Sequence, residues 1–142
     1  MKSPVTAFTA LFASLALAAA SLLAASALQA QNLEEVLRAQ PPLTEADVST
    51  AVALLRAAQD PAGAAAVRDV AESRGLTPER TAYLVTKLST GAELLVRPNI
   101  SRDELSTRFG TPLAIPTAEE LEILRAHRAE IYEVVGLSAP QP

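Results

Sequence analysis

The chain has 142 residues, a formal net charge of −4, no cysteine, no tryptophan and one histidine. Those counts exclude disulfide scaffolds, thiol catalysis, cysteine-ligated zinc or iron–sulfur centres and any metal site built on a cluster of histidines. The composition is 49% hydrophobic, but the excess lies in the first thirty residues, and the remainder has the apolar fraction ordinary for a soluble globular domain.

Residues 1–30 read as a signal peptide. Met1 and Lys2 supply a short positive start, and from Ala7 to about Ala25 the chain is Ala, Leu, Phe, Ser and Thr without a charge. Ala25-Ser26-Ala27 fits the small-x-small rule for cleavage, and Leu28-Gln29-Ala30 fits it less well, which places the mature N-terminus near Leu28 or Gln31. The apolar run is also long enough to span a bilayer, so an uncleaved anchor is the competing reading and the one route to a membrane. Without cysteine there is no lipid attachment box. The basic side chains are almost all arginine, a bias of GC-rich bacterial genomes, and the expected location is therefore periplasmic or secreted. Acidic residues outnumber basic ones, 16 to 12, with no basic run, which argues against nucleic acid or anionic lipid as a partner.

Start and stop signals divide the rest into helices. Asn32, with Glu35 three residues on, opens a short helix carrying Leu33, Val36 and Leu37, and Pro41-Pro42 closes it. Thr44-Glu45-Ala46-Asp47 is a capping box with a shorter acid, stapled by Leu43 and Val48, and Val48, Val52 and Leu55 repeat at helical spacing as far as Asp60-Pro61. Asp60 then serves as a new N-cap with Pro61 in the first helical position, and this third helix carries Val67, Val70 and Ala71 as far as Gly75. Thr77-Pro78 opens a fourth helix, Pro78 to about Val96, whose Leu84, Leu88 and Leu95 continue across Gly91, a residue expected to weaken the helix without ending it. Ser101 to Glu104 is a further capping box, stapled by Ile100 and Leu105 and ended by Gly110. Thr117 to Glu120 opens a last helix with Leu121, Leu124, Ile131 and Val135 on its buried stripe and Gly136 at its end. No segment alternates with period two over a strand length. The expectation is all-α: one compact bundle of about six helices, three long and three short, over residues 31–137, with 138–142 as a loose tail.

Leu43-Thr44-Glu45-Ala46-Asp47 and Leu76-Thr77-Pro78-Glu79-Arg80 resemble the L-T-x-x-Q element of periplasmic helical chaperones of the Spy and CpxP type. Asp47 and Arg80 stand where that element has glutamine, and the chain lacks the richness in Met, Gln and Lys of those proteins. The resemblance covers about ten residues, which a leucine before a helix N-cap also explains; it implies a helical periplasmic chaperone.

Few residues carry chemistry. His127 and Glu130 share a helical face at a spacing suited to one metal, but no second histidine completes a site and no metal is expected there. Glu119, Glu120 and Glu122 are accounted for by capping and the helix dipole. Ser89, Thr90 and Ser101 lack the glycine bracket of a nucleophile elbow, and Gly91 alone is no phosphate loop. Asn99-Ile100-Ser101 matches a glycosylation sequon, read here as coincidence because Ser101 is needed as a cap. No cofactor motif occurs.

The one constellation that suggests binding is Arg80, Tyr83 and Lys87. Offsets of three and four put two cations and a phenol on one side of the fourth helix, beside Leu84 and Leu88. Such a strip can hold a carboxylate or phosphate, or can lie over the core edge and pair with acids of a neighbouring helix. Three function classes follow: a non-catalytic interaction or accessory protein of the bacterial envelope with an envelope partner, a carrier of a small anionic or amphipathic ligand, and, last, an enzyme working with carboxylates, Tyr or Lys. Sequence leaves the oligomeric state open.

Overall fold

Residues 33–136 are those that the computed structural model describes, so the expected signal peptide (1–30) and the expected loose tail (138–142) lie outside them. They form α1 (Leu33–Ala39), α2 (Glu45–Ala58), α3 (Ala64–Ser73), α4 (Pro78–Val96), α5 (Arg102–Phe109), a 3-10 turn at Pro112–Ala114, α6 (Ala118–Ala126) and α7 (Arg128–Val134). Among the described residues there is no strand, and no helix is long and apolar enough to cross a membrane.

Everything is arranged about α4. Its residues from Thr81 to Leu94 are buried without a break, because α1, α2, α6, α7 and the 3-10 turn all pack on it, while α3 lies on α2 and α5 on the 3-10 turn. The core is aliphatic: Leu54 and Leu55 of α2, Leu84 and Leu88 of α4, Leu124 of α6 and Ile131 of α7 are all essentially inaccessible. A helix buried all round is usually apolar all round, yet this one also encloses Thr81, Thr86, Lys87, Ser89, Thr90 and Glu93. Of their buried side-chain polar atoms, all but the Ser89 hydroxyl find partners among the described residues. Thr81 and Thr90 donate to the carbonyls of Thr77 and Ala114, at 2.9 and 2.7 Å.

Gly91 is the reason α6 can approach. A Cβ there would stand 2.3 Å from Cδ1 of Leu124, so the glycine gives up about 1 kcal/mol of helix propensity and admits a leucine against the backbone. The caps at Thr77 and Thr117 form as expected, their hydroxyls accepting from the N–H groups of Arg80 and Glu120, both at 3.1 Å. At Ser101 only half of the box is made: its hydroxyl accepts from Glu104 N–H at 3.3 Å, while the Glu104 carboxylate lies 3.7 Å from Arg108.

Two expected boundaries are corrected. The third helix starts at Ala64 and not at Pro61, because Asp60 turns the chain locally, its Oδ1 accepting from Ala62 N–H at 2.8 Å. Gly63 then takes φ +53°, which a helix cannot contain. The last helix is two helices, so the described residues hold seven helices, near the six expected. His127, at φ −108° and ψ 20°, separates α6 from α7. No glycine or proline marks this break; it lets α6 rest on α4 while α7 reaches both α2 and α4.

Candidate functional site: a saturated charge cluster on the core helix

The helical offsets do bring Arg80, Tyr83 and Lys87 to one face of α4. Cζ of Arg80 lies 4.9 Å and Nζ of Lys87 lies 5.3 Å from the centre of the Tyr83 ring, both within cation–π range. Tyr83 and Lys87 are buried, however, at 4% and 5% exposure, and each is turned toward an acid.

That acid is Glu120, the third residue of α6, 1% exposed. Its Oε1 accepts from Thr117 N–H at 3.0 Å and faces Nζ of Lys87 at 3.2 Å. Its Oε2 accepts from Leu43 N–H at 2.8 Å and from the Tyr83 hydroxyl at 2.5 Å. A carboxylate offers about four acceptor positions, and here all are used. Burial by itself pushes the Glu120 carboxyl up, but the hydrogen bonds from Thr117 N–H, the Tyr83 hydroxyl and Leu43 N–H, with the charge of Lys87, more than offset it and hold it below the usual carboxylate range. Burial pushes the Tyr83 hydroxyl well above the ordinary phenol range, and the adjacent carboxylate adds to this. Lys87 also donates to the carbonyl of Ile115 at 3.0 Å.

Arg80 is engaged at the other end of the strip. It pairs with Asp47 at 2.8 Å and donates to the carbonyl of Pro41 at 2.6 Å. Both acids are the third residue of a helix that begins with a threonine cap, so α4 reaches two capping acids at once, one on α2 and one on α6. An anionic ligand at Arg80 or Lys87 would have to displace Asp47 or Glu120.

The other sequence candidates are separate. His127 presents Nε2 to Glu45 at 3.0 Å and Nδ1 to Glu130 at 3.7 Å; the two carboxylates flank opposite ring nitrogens and do not converge on one point. Among the described residues no group of three or more His, Asp or Glu is placed to hold a metal ion. The Ser89 hydroxyl is buried and has no hydrogen-bond partner among the described residues. Asn99 is exposed in the turn between α4 and α5.

A second buried acid escaped the sequence reading. Glu93 is 1% exposed and accepts from Arg97 at 3.1 Å and from Arg108 of α5 at 2.5 Å. Its one local signal was Arg97 at i+4; the cross-helix partner had none. Glu120 was seen only as a cap because its capping role is complete in sequence.

The fold and the cluster define a small all-helical domain around a buried, internally paired core helix. No protein-family model matches the chain, no curated protein matches its sequence, and no solved structure matches its fold.

Proposed function

We propose that this is an exported, non-catalytic interaction or accessory protein of the bacterial cell envelope. The observation that carries the reading is the saturation of Glu120: with its acceptor positions filled by Thr117, Lys87, Leu43 and Tyr83, the strip that most suggested chemistry is spent on holding helices together. Arg80, bound to Asp47 and to the carbonyl of Pro41, supports the same reading. Export rests on the N-terminal composition of the sequence, Met1-Lys2 followed by an uncharged apolar run and a small-x-small cleavage site.

Native mass spectrometry of the protein recovered from the periplasm of its own host tests this. The expected species is a chain shortened by about 27 to 30 residues, from the cleavage rule, bound to another envelope protein and free of small molecules. A stoichiometric small-molecule adduct that is lost in Arg80→Ala would make the protein a carrier, and full-length chain in the cytoplasm would remove export.

A further inference from the structure

We propose that the connector Gln40–Thr44 is a latch, and that its release frees α1 and the connector together while α2 to α7 stay folded. The two prolines have no N–H and can join no helix through a donor. What holds this stretch comes from outside it. Arg80 of α4 grips the carbonyl of Pro41 at 2.6 Å and approaches that of Pro42 at 3.5 Å, and Glu120 of α6 takes the N–H of Leu43 at 2.8 Å. The Leu43 side chain, 2% exposed, is the apolar pin between these two grips.

The elements on either side differ in what they need. α1 has seven residues and packs on α4 and the 3-10 turn through Leu33, Val36 and Leu37; a helix that short does not persist alone in water. α2 has fourteen residues and starts with its own Thr44–Asp47 pairing, in which Thr44 N–H donates to Asp47 at 2.9 Å. Arg80 and Glu120 keep Asp47, Thr117 and Lys87 when the connector leaves. The opening unit therefore ends at Thr44, and it uncovers the α1-facing surface of α4 without dissolving the core.

Hydrogen exchange measured by mass spectrometry on the full mature chain tests the latch. In the wild type, amides of 34–43 are expected to exchange faster than those of 84–94. Arg80→Gln loses the grip on Pro41 together with the Asp47 pair; exchange in 34–43 should speed by roughly tenfold, the share of the lost charge-assisted bond to Pro41, and by more than in 84–94. Glu34→Gln, which breaks the exposed pair with Arg38 within α1, should speed exchange in 34–43 by no more than about twofold and leave 84–94 as it was. Equal rates in the two segments of the wild type would overturn the proposal, because α1 would then open only with the whole domain. Acceleration of both segments alike by Arg80→Gln, or of neither, would overturn it as well.

Discussion

The hydroxyl of Tyr83 donates to Glu120 across 2.5 Å and ties the middle of α4 to the first turn of α6. The same carboxylate also holds Leu43 of the α1–α2 connector and its own cap residue, so one side chain joins three parts of the chain. Removing the hydroxyl and removing the charge should therefore have different consequences. Tyr83→Phe deletes one hydrogen bond to a charged acceptor and should cost about 1.5 to 3 kcal/mol. Glu120→Gln leaves Lys87 buried without its counter-charge and should cost more, about 3 to 5 kcal/mol. Urea unfolding of the two variants beside the wild type gives the order, and an equal loss in both would mean that Lys87 does not depend on Glu120.

Acid should act through the same group. Because the folded domain holds Glu120 below its ordinary value of 4.5, the unfolded chain takes up the proton first as pH falls. This contribution is present above that value and is lost as pH falls through the folded one. Tyr83 works in the opposite direction: its hydroxyl is held above the ordinary 10.0, so the unfolded chain ionises first and stability drops as pH rises beyond that point. Urea midpoints between pH 2 and 11 should decline at both ends, with a flatter acid limb in Glu120→Gln and a flatter alkaline limb in Tyr83→Phe.

Gly91 should behave unlike a glycine in an exposed helix. Alanine there would gain about 1 kcal/mol of propensity, but its Cβ meets Leu124 Cδ1 at 2.3 Å, and overpacking of this kind costs about 1 to 3 kcal/mol. Gly91→Ala is expected to lower Tm. Leu124→Ala should cost less in the Gly91→Ala background than alone, since the new methyl fills part of the vacated space. A rise in Tm for Gly91→Ala would show that α6 stands further from α4.

Glu93 fastens α5 to α4. With Arg97 and Arg108 partly exposed, at 37% and 28% of their side chains, water softens the loss, and Glu93→Gln should cost about 2 kcal/mol, below the range for a wholly buried pair. Exchange rates should rise in 102–109 more than in α2. Uniform acceleration would mean that α5 is held by Leu105 and its packing, not by the ion pair.

What the sequence by itself determined was set within one turn of helix, although the Ser101 box forms only by half and Asp60 turns the chain instead of capping a helix. The threonine caps at Thr77 and Thr117, the staple at Leu43, the burial of Leu84 and Leu88 and the shared face of Arg80, Tyr83 and Lys87 all follow from offsets of three and four, which the helix geometry makes into contacts whatever surrounds them. Only the tertiary structure decided what those side chains meet. Nothing near Tyr83 in the chain announces Glu120, 37 residues away, and nothing near Gly91 announces Leu124. The break at His127 carries neither glycine nor proline, so its signal lies in the surfaces of α2 and α4 that α7 reaches. The all-round burial of α4 was hidden for the same reason: Lys87, Thr90 and Glu93 look like a solvent face until neighbouring segments supply the partners that make their burial affordable.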